Sequence, residues 1–128
     1  MRLEDRLKAE GRRLGFHRVG IGPATELRRA REVLQAQQAR GIDPAFVPKE
    51  ISLRTDPQRW LPGARSLIAV ALAYPRPPRP APPDREPRGL IARYACFEDY
   101  HAAIENRLER LMRFLEDEAG RPIAWRSL

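Results

Sequence analysis

Two clusters of side chains carry most of the chemistry this sequence can offer, and each sits where the chain changes character. The first is Arg54-Thr55-Asp56-Pro57 with Leu61-Pro62-Gly63-Ala64-Arg65-Ser66, leading into an apolar run. The second is Arg93-Tyr94-Ala95-Cys96-Phe97-Glu98-Asp99-Tyr100-His101, leading into a long amphipathic stretch. Arginine is a planar, permanently charged fork that can hold amide or phosphate oxygens. Element ends are where sites in layered α/β proteins gather. Each residue also has a plainer role. Asp56 can be a turn residue before proline, Asp99 a helix cap, and Tyr94 and Tyr100 half-buried packing. Arg54 can pair locally with Asp56, and Arg93 can simply be solvated.

The rest of the inventory is thin. There is no Gly-rich phosphate loop, no CxxC pair and no HExxH. The two histidines are His17 and His101, and His17, just ahead of a short strand, is expected to be exposed. Scattered serines do not make a catalytic triad without geometry. Cys96 is the single cysteine, so the chain has no internal disulfide and cannot by itself ligate an iron–sulfur cluster, which needs about four cysteines. It reads as a small buried residue rather than a reactive thiol.

The elements that must position these clusters follow from periodicity. Leu3, Leu7 and Leu14 lie on one helix face, and Gly15 suits the C-terminal cap. Residues 17–22 alternate Val19 and Ile21 as a short strand, which Pro23 ends. Residues 24–40 read as a second helix with Leu27, Ala30, Val33 and Leu34 on its apolar face, closed by Gly41. Residues 42–62 hold four prolines and read as loops with at most a helical turn near 58–61. Residues 66–74 form a continuous apolar run, the pattern of a strand buried on both faces. Residues 75–87 carry seven of the 13 prolines, a stiff surface loop. Residues 90–95 read as a strand or extended segment. Residues 100–119 make the strongest helix, with Ile104, Leu108, Leu111 and Leu115 on one face, Asp99 at its N-cap, a Glu109–Arg113 pair outside, and Gly120 and Pro122 to stop it. Ile123 and Trp125 then alternate as a strand. The expected fold class is α/β: a partial mixed sheet flanked by helices, with fewer elements than a closed doubly wound domain has.

Length and charge bound the rest. One domain is expected of 128 residues. With 42% hydrophobic and 32% charged residues, the composition is that of a globular protein. No apolar run approaches the roughly 18 residues of a membrane span, and the first 11 residues lack a signal-peptide core, so the expectation is cytoplasmic with no membrane partner. The net charge is +7, from 22 arginines and two lysines against 17 acidic residues. That balance favours polyanions such as RNA, although arginine, alanine and proline enrichment also arises from coding bias.

Three motifs, in order and spacing, resemble the epoxyqueuosine reductase family: GFHRVGIGPA at 15–24, R-x-D-P-x-x-x-L-P-G-A-x-S-x-I-x-V-A-L-x-Y at 54–74, and R-Y-A-x-x-x-D-Y-H at 93–101. The resemblance implies an N-terminal domain, residues 1–128, of a cobalamin-dependent enzyme that reduces epoxyqueuosine to queuosine at the tRNA wobble position. It implies tRNA as partner, cobalamin as cofactor, and a ferredoxin-like C-terminal part holding two 4Fe-4S clusters. By motif position, Arg54 and the segment Ala92, Arg93, Tyr94 and Ala95 contact cobalamin, while Asp99, Tyr100 and His101 line or support the same pocket. Arg54 and residues 93–95 are thus expected to face one cavity.

There are also departures from the family pattern. The family's proposed proton donor, an aspartate in a Val-Asp-Thr-Gly type stretch, falls beyond Leu128, and the cluster cysteines are absent. Residues 41–50 lack the family's methionine-containing segment and carry Asp43-Pro44-Ala45-Phe46 instead. The expectation is a chain that stops before the catalytic machinery is complete and is inactive alone. Two other readings fit the same residues: a noncatalytic remnant that binds cobalamin or tRNA, and a cobalamin-dependent reductase of a non-tRNA substrate. Cysteine clusters downstream without a basic tRNA-binding region favour the latter.

The cysteine count yields a direct prediction. The purified chain carries no iron–sulfur cluster, so iron analysis returns a negligible metal-to-protein ratio. Stoichiometric iron in monomeric protein, with a broad absorption near about 400 nm from thiolate–iron charge transfer, contradicts it.

Overall fold

A computed structural model of the chain describes residues 1–74, 89, 92–96 and 99–128. The elements are α1 (Leu3–Arg13), β1 (Arg18–Pro23), α2 (Arg28–Ala39), α3 (Ser52–Thr55), a 3-10 turn (Pro57–Arg59), β2 (Ser66–Ala71), a second 3-10 turn (Arg93–Cys96) and α4 (Tyr100–Ala119). The result is a mixed helix–strand fold with a small two-stranded sheet, β1 beside β2. The pair is antiparallel: His17 N–H donates to Ala71 O (2.7 Å) and Ala24 N–H to Arg65 O (3.1 Å). Contacts divide the chain into two compact units, Met1–Val19 with Val70–Pro122, and Gly20–Ala69 with Ile123–Leu128.

The first unit is built on α1 against α4. Leu7, Leu14 and Phe16 are buried with Leu111 and Met112, so the leucine spacing in both segments selects the faces that meet. Acids in the first turn of α1 (Glu4, Asp5) and bases in its last (Arg12, Arg13) complement the helix dipole. Gly15, at φ 98°, takes the left-handed conformation that turns the chain out of α1. Arg107 of α4 then donates from Nε to Leu14 O (3.1 Å) and from Nη1 to Ala103 O (2.7 Å), satisfying carbonyls of both helices. Arg6 and Glu118 form an ion pair between the same two helices. At the start of α4 the Asp99 carboxylate accepts the His101 N–H (3.0 Å), and Gly120 in the left-handed region ends it. Glu109 and Arg113 lie 3.8 Å apart on its exposed side.

The second unit is held by polar stitching more than by apolar burial. Leu27 N–H donates to Thr55 O (2.8 Å), and the buried Thr55 hydroxyl donates to Ile51 O (3.0 Å). Gln58 works in three directions. Its amide donates to Ala24 O (2.9 Å) and Ala64 O (2.8 Å), and its carbonyl accepts Gly63 N–H (2.9 Å). Asp56 caps the 3-10 turn through Gln58 N–H (3.0 Å). Trp60 donates from Nε1 to Leu53 O (2.7 Å), and Arg126 lies 5.0 Å over its ring.

Several sequence expectations are corrected. β2 ends at Ala71, not at 74, and is not buried on both faces: Ser66, Ala69 and Ala71 are exposed. A strand covered on both faces needs layers above and below it, and β2 has one strand neighbour among the described residues. Residues 123–125 form no strand. The cation–π contact of Arg126 with Trp60 engages this segment. Among the described residues the sheet is the antiparallel pair β1–β2. α2 begins at Arg28 rather than 24, because the Leu27 N–H is taken by Thr55, and the supposed core residues Leu27 and Val33 are exposed. The four-residue helix α3 was not expected from the proline-dense stretch. Residues 93–96 are a 3-10 turn rather than strand, and positions 90–91, like the 75–87 loop, lie outside the described residues. Among the described residues, no helix is long and apolar enough to cross a membrane.

One packing contact is testable. Gly11 is buried in α1, and a Cβ there would stand 2.5 Å from Val19 Cγ2. Alanine regains about 1 kcal/mol of helix propensity against an overpacking cost of about 1–3 kcal/mol. Gly11→Ala is expected to be net destabilising in chemical denaturation, and Val19→Ala in the same chain should relieve the added cost. A stabilised single variant would contradict this packing.

Candidate functional site

The first cluster is organised around a carboxylate that sequence reading did not single out. Asp43 has a side chain only 5% exposed, and its oxygens meet Arg54 Nη1 at 2.8 Å and Lys49 Nζ at 3.4 Å. Arg54, in the last turn of α3, is thereby held with its side chain 18% exposed. Its partner is not Asp56, which is committed to capping Gln58. The Arg54 guanidinium, and after it the Lys49 ammonium, keeps the Asp43 carboxyl below the usual carboxylate range against the opposing effect of desolvation. Among the described residues Asp43 takes one nitrogen of the Arg54 fork, and a guanidinium has further N–H donors for a ligand's oxygens. No sequence signal pointed to Asp43, because its partner is eleven residues away across a proline-containing loop.

The second cluster lies in the other unit. Tyr74, Tyr94 and Tyr100, all exposed, form an aromatic ladder. Tyr74 and Tyr94 meet edge-to-face at 6.3 Å between centroids, and Tyr94 and Tyr100 at 5.8 Å. His101 stacks on Tyr100 at 4.1 Å. Its Nδ1 lies 2.7 Å from the Asp99 carboxylate, which also accepts the His101 N–H. The backbone N–H first, then the imidazole, hold Asp99 below its ordinary range. In an edge-to-face pair the positive edge of one ring meets the electron-rich face of the other. Sequence reading had Tyr94, Tyr100, His101 and Asp99 in hand, but not that Tyr74 at the end of the first motif joins them.

Ala92, Tyr94 and Ala95 are exposed on and beside the Arg93–Cys96 turn, where Ala95 N–H donates to Ala92 O (3.0 Å). The side chains of Arg93 and Cys96 lie outside the described residues. Arg54 belongs to the second unit and the 92–101 segment to the first. No group of three or more potential ligands that could hold a metal ion occurs among the described residues.

Comparison with known proteins gives these clusters a context. The family model described as epoxyqueuosine reductase QueG, DUF1730, matches residues 54–128, a span that starts at Arg54 and takes in the 92–101 segment. An epoxyqueuosine reductase of Bacillus cereus is 35% identical over 109 residues, 84% of this chain and 29% of the relative. One from Gloeobacter violaceus is 37% identical over 123 residues, 93% of this chain and 37% of the relative. A crystal structure of an epoxyqueuosine reductase with an epoxyqueuosine-modified tRNA-Tyr stem loop superposes with a TM-score of 0.79 at 30% identity, covering 90% of this chain and 31% of that one. The chain thus spans about a third of the length of these relatives. With the family model matching well over half of its residues, the chain belongs to the epoxyqueuosine reductase QueG, DUF1730, family.

Proposed function

We propose that residues 1–128 are the N-terminal, cobalamin-contacting domain of an enzyme that reduces epoxyqueuosine to queuosine at the wobble position of tRNA, in the cytoplasm. The observation that supports this reading is that the matched span, residues 54–128, begins at Arg54, which Asp43 holds from outside that span, and includes the 92–101 segment with its tyrosine ladder. The relative solved with a modified tRNA stem loop supports tRNA as the substrate class, and the net charge of +7 suits a polyanion.

The residues present fit the cofactor's chemistry. Cobalamin has a broad ring carrying amide arms and a phosphodiester. Arg54 offers charged donors to such oxygens without the entropy of an unrestrained side chain. Residues Ala92, Arg93, Tyr94 and Ala95 offer a turn, in part through the backbone, in which Ala92, Tyr94 and Ala95 are exposed, and Asp99, Tyr100 and His101 support that segment. When bound, cobalamin supplies the reducing metal centre. This chain's part is to hold and orient it and to present basic surface to tRNA, while in the family the proton-donating aspartate of the Val-Asp-Thr-Gly type stretch and, in a ferredoxin-like part, two 4Fe-4S clusters are supplied by other residues.

The test is a titration of hydroxocobalamin into protein containing this chain, followed by calorimetry. Arg54→Ala should weaken binding by about 1.5–3 kcal/mol, the worth of a charged hydrogen bond. Because that variant strips Asp43 of a partner, Asp43→Ala with Arg54→Ala serves as the folding control and should bind as weakly. Wild-type affinity in a double variant of unchanged melting temperature overturns the assignment.

A further inference from the structure

The loop between α2 and α3 is turned inside out. Asp43, a charged residue, is drawn in to 5% exposure, while Phe46 stands 90% exposed and Ile42 54% exposed. A large aromatic displayed beside a sequestered carboxylate reverses the usual partition of side chains. Chance exposure at a floppy tip does not account for it, because the loop is braced from several directions. Asp43 ties it to Arg54 of α3 at 2.8 Å. Lys49 Nζ reaches back to Pro44 O at 3.2 Å, and Gln38 of α2 donates to Lys49 O at 2.8 Å. Phe46 therefore sits between Pro44 and Lys49, two positions tied to each other.

The charge around it has a sign. One carboxylate, Asp43, faces two cations, Arg54 and Lys49, so this node keeps one net positive charge, and the Lys49 side chain is 62% exposed. We infer that the braced 42–49 loop presents Phe46 as a stacking surface for an unpaired base of single-stranded RNA, with the Lys49 ammonium beside the adjoining phosphate. Base-on-aromatic stacking next to a cation is the general way proteins hold single strands without reading their sequence. A single ring beside one exposed isoleucine is too small a patch for a protein groove but matches the face of one base. Restraint of the loop limits the ordering cost on binding.

The inference deepens the tRNA reading above and rests on it for the identity of the natural RNA. Its test needs neither cobalamin nor the modified nucleoside, so the two can fail separately. The probe is a short fluorescein-labelled RNA of unstructured sequence, with the same strand annealed as a blunt duplex for comparison, read by anisotropy on the full chain. The wild-type chain should prefer the single strand. Phe46→Ala should weaken single-strand binding about 5- to 100-fold, the range for loss of one stacked base, with duplex binding and the salt dependence unchanged, since phosphate contacts remain. Phe46→Trp should restore affinity, and its added emission should be quenched by the single strand. Phe46 is solvent-facing, so its variants should keep the wild-type melting temperature. The proposal is overturned if Phe46→Ala binds both probes as wild type does, if the chain binds neither, or if the substitution acts only by abolishing self-association in sedimentation, which would make a second copy the occupant.

Discussion

A carboxylate taken nearly out of water has to be matched by charge, and in this chain Asp43 is matched twice. Its contacts to Arg54 and Lys49 link the loop after α2 to α3 and set the direction of the guanidinium. Removing one partner of such a group costs far more than an exposed ion pair contributes, because the remaining charge is left under-solvated. The rest of the second unit continues the same logic in neutral form: the Gln58 amide, the Thr55 hydroxyl and the Trp60 indole each close on backbone carbonyls. A segment dense in proline cannot use helix or sheet ladders for its polar groups. Side chains do that work, and the loop acquires a defined shape.

The first unit reaches order by a different route. There α1 and α4 bury leucines against each other, and Arg107 closes the C-terminal turn of α1. The start of α4 is fixed by Asp99, which places Tyr100 and His101 beside Tyr94 and leaves the aromatic ladder on the surface. Packing of the helix body thus determines where the polar and aromatic end is displayed. Cap, stack and carboxylate–imidazole contact are consequences of one residue at the N-cap.

What the sequence disclosed follows the range of the interactions involved. The helical faces of α1 and α4, the Asp99 cap, the glycine stops at 15, 41 and 120, and the Glu109–Arg113 pair all depend on neighbours within about one turn, and all were legible. So was the family, because its motifs are local strings. The strand expected at 123–125 and the doubly covered β2 depended on a partner strand or covering layer, which alternation alone does not supply. Asp43, named only within a departure from the family pattern, was invisible as a site residue for the same reason: only the fold brings Arg54 and Lys49 to it. Exposure of Leu27 and Val33 likewise shows that an apolar helical face specifies amphipathicity, not what covers it.

The proposed function makes this chain part of an enzyme acting on the wobble nucleoside of tRNA. The most direct measurement digests tRNA carrying epoxyqueuosine after incubation with protein containing this chain, loaded with cobalamin and iron–sulfur clusters and supplied with a reductant, and identifies the wobble nucleoside by mass spectrometry. Conversion to queuosine, the loss of one oxygen atom, is expected in tRNA and not in the free nucleoside. An unchanged epoxyqueuosine in the presence of intact, reduced, cofactor-loaded protein would contradict it.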